Sequence, residues 1–134
     1  MQSMAQTAPA SKKMLWAGRV VSAIPVLFLL LDGAAKLFKP AAVVEATVKL
    51  GYPEGVILGL GIVLLVCTVL YAVPRTAVLG AILLTGYLGG ATATHVRVGD
   101  TPFTILFPGI VGALLWGGLY LRDGRLHALI PLRR

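Results

Sequence analysis

The chain has 134 residues, of which 57% are hydrophobic and only 13% charged, a balance too apolar for a water-soluble domain of this size. Its formal net charge of +7 would suit a nucleic acid, but the Lys and Arg residues fall between and beyond apolar runs instead of forming one basic face; no nucleic-acid partner is expected. The single cysteine, Cys67, lies inside an apolar run, which rules out an internal disulfide, a CxxC redox pair and a cysteine metal site.

In chain order, residues 1–14 open with a small, polar stretch without apolar period, expected to be a disordered cytoplasmic tail. Lys12 and Lys13 before an apolar run resemble the start of a signal peptide, and Gly33-Ala34-Ala35 offers a small-residue cleavage pattern. The run is longer than a usual signal core and three more follow, so an uncleaved anchor is the simpler reading. Four segments, 15–31, 56–73, 77–96 and 101–121, have the length and purity to cross a hydrocarbon core of about 30 Å as helices. Helix rather than barrel follows from apolar runs that are continuous, since a membrane strand alternates. Only Pro74, Arg75 and Thr76 separate the second and third spans, which must therefore be antiparallel neighbours. Thr101 and Pro102 read as N-cap and first residue of the last span, while Pro25 and Pro108 predict kinks.

Residues 40–50 read as a short amphipathic helix in the interface plane, with Ala41, Val44 and Val48 on one face and Glu45 and Lys49 paired on another. An ordered surface loop is the alternative. Residues 122–134, with Arg122, Arg125, Arg133 and Arg134, read as a basic cytoplasmic tail that holds anionic headgroups. The fold class is thus an all-α membrane protein, an antiparallel four-transmembrane-helix bundle with an interfacial helix between the first and second spans. Lys12, Lys13, Arg75 and the tail arginines against Lys36, Lys39, Lys49 and Arg97 place both termini inside, by the positive-inside rule.

Helices in lipid associate through small residues that allow close approach. Ala81, Thr85, Gly89 and Ala93, with Gly86 and Gly90 beside them, form such a stripe on the third span; Gly109, Ala113 and Gly117 form one on the fourth. Both are expected to be contact faces, inside the bundle or between protomers of a homo-oligomer.

Ionisable groups at membrane depth are costly and face a bundle interior by default. Asp32 and Lys36 close the first span while His95 and Arg97 close the third, all at one level, with Thr92 and Thr94 adjacent and Tyr87 deeper. The functional reading is a pocket where Asp32 orients His95 or Arg97 against a small polar headgroup or a quinone-like carbonyl. The plainer reading pairs Asp32 with Lys36 or Arg97 to fix register and lets His95 and Arg97 reach for headgroups. Trp16, Trp116, Tyr120 and Tyr52 fit an aromatic belt. His95 and His127 fall at opposite faces and five acids form no carboxylate pair, so no metal is expected. No nucleophile elbow, phosphate loop or dinucleotide fingerprint occurs.

The stretches Gly33-Ala34-Ala35-Lys36-Leu37-Phe38-Lys39-Pro40, Leu50-Gly51-Tyr52-Pro53, Pro74-Arg75-Thr76 and Gly86-Tyr87-Leu88-Gly89-Gly90-Ala91-Thr92-Ala93-Thr94-His95-Val96-Arg97-Val98-Gly99-Asp100 resemble the DoxX-like family of small bacterial membrane proteins. The resemblance implies a four-helix fold in the bacterial cytoplasmic (inner) membrane. In the wider DoxX and DoxD group it implies subunits linked to thiosulfate oxidation by quinone or to oxidative stress. Three functions compete on this reading. The first is a binding or accessory subunit that holds a quinone, isoprenoid or lipid for a redox partner protein. The second is a membrane enzyme using His95 and Asp32 as acid and base, and the third a small transporter.

Overall fold

A computed structural model describes residues 11–130, all in helices and short connections with no strand among them. Ser11 opens α1 (Lys12–Phe38) as a side-chain cap, its hydroxyl accepting from the Met14 amide at 3.1 Å. Lys39 ends the helix in the left-handed region (φ 53°). The helix is longer than the expected 15–31 at both ends. Residues 12–14 belong to it rather than to a tail, and Asp32 and Lys36, expected to close the span, sit in its final two turns. Hydropathy reads the apolar run and stops at its first charge, whereas the backbone continues while good helix formers such as Ala34, Ala35 and Lys36 follow. Residues 1–10 and the pair Arg133 and Arg134 lie outside the described residues.

The interfacial segment is a helix, α2 (Ala41–Lys49), begun by Pro40. The expectation named Ala41, Val44 and Val48 as its apolar face, and its buried residue is another one. Thr47 is buried and Val43 borders the cavity beneath the helix, while Val48 is exposed; Glu45 and Lys49 form no ion pair. Thr47 satisfies its hydroxyl on the Val43 carbonyl (2.8 Å), so a residue that looks polar in a hydropathy pattern can face inward. A 3-10 turn, Glu54–Val56, leads into α3 (Ile57–Ala72), and a second, Pro74–Thr76, joins it tightly to α4 (Ala77–Arg97). Thr101 caps α5 (Pro102–Arg122), and α1 and α5 run through Pro25 and Pro108 as continuous helices.

The four long helices form an up-down ring in which α1 packs on α3 and α5, and α4 on α3 and α5, leaving α1 and α4 diagonal. Each of the four, with α3 and α4 taken together with the 3-10 turns that lead into them, is long and apolar enough to cross a membrane. The outside of the bundle agrees with that: Trp16, Ile24, Leu27, Leu31, Val66, Ile82, Phe103 and Leu106 all point outward. A surface as greasy as the core is what a lipid solvent selects and water does not tolerate.

Three seams close on glycine, though not on the stripes expected. Gly18 and Gly118 meet between α1 and α5, Gly33 and Gly61 between α1 and α3, and Gly80 rests on the backbone of Leu70 and Tyr71 between α4 and α3. Each has no room for a Cβ, so the helix axes come closer than any side chain would allow. Of the expected stripe, only Ala81 is buried. Gly86, Gly89, Gly90, Gly109 and Gly117 have open space where a Cβ would stand, and Thr85, Ala93 and Ala113 are exposed. A four-residue period marks a common helix face but not what that face meets.

The buried hydroxyls inside the bundle are paired. Ser22 donates to the Tyr71 hydroxyl (3.0 Å), which donates in turn to the Leu115 carbonyl (2.5 Å), tying α1, α3 and α5 together. Trp116 donates to Thr85 Oγ1 (2.7 Å) and so links α5 to α4 rather than serving only as a belt residue. After α5 the chain is not a free tail. A 3-10 turn, Gly124–Ala128, folds back, buries Leu126 and stacks His127 on Tyr120 at 4.1 Å.

Candidate functional site

At the end of the bundle capped by α2, a cavity of about 450 Å³ opens between α1, the first turns of α3, and α4. Helical spacing explains its α4 wall: Tyr87, Ala91, Thr94 and His95 are separated by four, three and one residues and share a face. Gly86 and Gly90 lie between them and contribute space instead of side chains. From α1 come Asp32 and Lys36, one turn apart, joined by a 2.7 Å ion pair with the Lys36 side chain 13% exposed and that of Asp32 37%. The roof is α2 with Val43, Ala46 and Thr47, and the turn that follows it with Leu50 and Tyr52.

The hydrogen bonds fix donors and acceptors. Thr94 donates to the Gly90 carbonyl (2.8 Å), so the Tyr52 hydroxyl must donate to Thr94 Oγ1 (2.8 Å). This bond pins the α2–α3 turn to α4 across the cavity mouth. His95 Nδ1 stands 2.7 Å from Asp100 Oδ2, and the Asp100 amide donates to the His95 carbonyl. An ionised carboxylate only accepts, so Nδ1 carries the proton and Nε2 is the ring nitrogen left for other work. The chain can double back in this way because Gly99 takes a left-handed conformation (φ 72°).

Of the residues expected in a pocket, Asp32, Lys36, Tyr87, Thr94 and His95 converge. Two do not. Thr92 faces the groove between α4 and α5, beside Gly89 and Pro108. Arg97 is exposed and donates from Nη2 to the Leu50 carbonyl (2.6 Å), so it fastens the end of α2 rather than lining the cavity. The expected orientation of His95 or Arg97 by Asp32 is also replaced: Asp32 holds Lys36, and His95 holds Asp100. Sequence reasoning missed Tyr52, Thr47 and Asp100. Tyr52 had a signal, being enclosed by Gly51 and Pro53 in a turn; Asp100 had a weaker one, five residues past His95 across a glycine.

A larger hollow of about 640 Å³ lies outside α2, but that helix alone borders it, so it has no opposing wall to hold a molecule. Among the described residues no cluster of three or more His, Cys, Asp or Glu side chains is placed to hold a metal ion.

No curated protein and no solved structure matches the chain. The profile of the DoxX-like family matches residues 20–118, a stretch that takes in the whole cavity and most of all four spans. This multi-pass membrane protein therefore belongs to the DoxX-like family.

Proposed function

We propose that the protein binds a lipophilic small molecule with a polar, carbonyl-bearing head, of the quinone or isoprenoid-quinone type, in the cavity beneath α2. The observation that carries this reading is the cavity's composition. A volume of about 450 Å³ is within the usual range for ligand pockets, its wall is mostly apolar, and a few polar groups converge in it. Lys36 and Tyr87 supply donors for a carbonyl and His95 Nε2 an acceptor for a hydroxyl, while Leu60 and the open positions at Gly86 and Gly90 leave an apolar slot for a ring or chain. With both termini cytoplasmic, the head would sit near the outer leaflet of the bacterial inner membrane. There it would serve a redox partner as an accessory membrane subunit.

Mass spectrometry of lipids carried through purification tests this directly. Gly90→Leu should fill the slot and lose the bound molecule while the protein keeps its melting temperature, because nothing lies where the new side chain would start. A lipophilic molecule retained equally by the wild type and by Gly90→Leu would refute the site.

A second reading, a membrane enzyme, is favoured by the His95–Asp100 pair at 2.7 Å. A carboxylate that fixes the tautomer of a cavity-lining imidazole prepares Nε2 for proton transfer. His95 would then be the acid–base group, positioned by Asp100 while Asp32 is held on Lys36. Turnover by the purified chain alone, lost in Asp100→Asn with ligand retention unchanged, would select it.

A further inference from the structure

The polar atoms of the cavity wall divide into those whose hydrogen bonds are spent and those still open. Thr47 donates to the Val43 carbonyl, Thr94 to the Gly90 carbonyl and Tyr52 to Thr94 Oγ1, so these three hydroxyls hold the wall together. Asp32 spends Oδ1 on Lys36, and its Oδ2 takes no bond among the described residues. His95 spends Nδ1 on Asp100, and its Nε2 takes none among them. The open donors are the remaining ammonium hydrogens of Lys36 and the hydroxyl of Tyr87.

Two of the open atoms can only accept. A carboxylate oxygen has no hydrogen to give, and Nε2 has none while Nδ1 carries the ring proton. A hydroxyl satisfies either of them. A carbonyl does not, because it turns a lone pair towards a lone pair and leaves both groups unpaired in apolar surroundings. The two redox forms of a quinone-type head differ in this respect: the quinone carries carbonyls, the hydroquinone hydroxyls that give as well as take. Lys36 and Tyr87 can donate to an oxygen of either form. The choice therefore falls to the acceptors, and Nε2 is the one whose character a second residue sets. Asp100 is not in the cavity wall, yet it fixes the imidazole from behind at 2.7 Å. It is itself held by its amide on the His95 carbonyl (3.0 Å), across the left-handed Gly99.

We propose that the cavity selects the reduced, hydroxyl-bearing form of its ligand, a hydroquinone over the matching quinone, and that Asp100 is the positioning residue that sets this selection by keeping the His95 proton on Nδ1. The inference rests on the cavity being the ligand site and adds which redox form it holds. It concerns binding alone, with no electron or proton leaving the ligand.

The test uses the full chain in detergent micelles, free of oxygen and at about pH 8, above the ordinary range of imidazole titration. A short-chain isoprenoid benzoquinone, its hydroquinone and an isoprenoid alcohol with the same tail are compared by titration calorimetry, and the His95 ring is read by nitrogen NMR. Wild type should bind the hydroquinone about tenfold or more tighter than the quinone, the scale of one buried acceptor left unpaired, with the ring proton on Nδ1. Asp100→Asn keeps the shape but offers an amide hydrogen to Nδ1, which lets Nε2 carry the proton. The preference should then fall by about tenfold and the NMR should report the change of tautomer. Asp123→Asn, the same exchange at the far end of the bundle, should alter neither. Equal binding of the two redox forms by wild type would overturn the proposal and leave the cavity standing as the ligand site. So would an undiminished preference in Asp100→Asn, or a wild-type ring with its proton on Nε2. The isoprenoid alcohol, if it bound as tightly as the hydroquinone, would overturn it by assigning the hydroxyl to a lipid alcohol. Binding of none of the probes would overturn the reading of the cavity itself, and the selection with it.

Discussion

The two ends of this bundle are built on opposite plans. At the cavity end, four cations (Lys36, Lys39, Lys49, Arg97) face four acids (Asp32, Glu45, Glu54, Asp100); at the other, Lys12, Lys13, Arg19, Arg75, Arg122 and Arg125 face Asp123 alone among the described residues. Packing differs in the same sense. Gly18, Gly80 and Gly118 are closed against neighbouring backbone at the basic end, while Gly86 and Gly90 face open space at the other. Gly33 and Gly61 are the exception, a tight pair beside the cavity that holds α1 to α3 and so gives the cavity a fixed wall. One end is thus a clamp with a one-sided charge, and the other a balanced polar recess. Stability should depend on the first and binding on the second.

The largest test of that division is at the clamp. Gly80→Val should destabilise the folded protein by about 3 kcal/mol or more, because its Cβ would enter the backbone of Leu70 and Tyr71, which cannot swing aside. Steric-trap or denaturant unfolding in micelles measures this; a near-neutral result would mean that the α3–α4 seam is wider than described. Tyr71→Phe comes next, at about 1–3 kcal/mol, since it leaves Ser22 and the Leu115 carbonyl without their buried partner. At the recess the balance reverses. His95→Gln should cost little in unfolding, yet weaken retention of the bound small molecule by about tenfold, the value of one good hydrogen bond. If it unfolded the protein as strongly as Tyr71→Phe, the two ends would not be separable.

Smaller effects sharpen the picture locally. Arg97→Gln removes the bond to the Leu50 carbonyl, and should speed amide exchange in α2 and the following turn with a global change of about 0.5 kcal/mol or less. The smallest is a pH effect at the basic end. The hydrogen bond from Arg125 holds the Asp123 carboxyl below its ordinary value. A lowered folded value means that its contribution is complete above the unfolded value near pH ~4 and disappears as acid carries the pH down through the folded one. With Arg125 largely exposed the contribution is a few tenths of a kcal/mol, about the detection limit, and Arg125→Gln should flatten that acid limb.

Much of the fold was legible because a membrane span is a composition as well as a shape. Four apolar runs and a three-residue link between the second and third leave little freedom for the ring they form. What was not legible follows from distance along the chain and from the hand of the helix. Asp32 and Lys36 mark the end of a hydropathy run but not of a helix, since an i,i+4 ion pair lets the backbone continue. Thr92 and Thr94 look equivalent in sequence, yet two residues turn a helix through about 200°, and one faces the groove while the other faces the cavity. The partner of His95 depends on a left-handed glycine that returns the chain, and such a turn is visible only once its φ is known. The glycines show the same limit from the other side: the sequence supplied a period, and the neighbours decided which positions were contact and which were room.

Unequal helix lengths have one more consequence. At 27 residues α1 measures about 40 Å, against about 24 Å for the 16 of α3, and the contacts of Ser22 with Tyr71 and of Gly18 with Arg122 put the surplus at the amino-terminal side of α1. There α1 stands beyond the tip of the α3–α4 hairpin, and the folded-back residues 124–128 pack on α5 and close Leu126 into the same core cluster as Tyr71 and Ala77. A chain cut short after Asp123 would keep its four rods but lose that plug, and the lower end of the core beside Tyr71 and Ala77 would lie open.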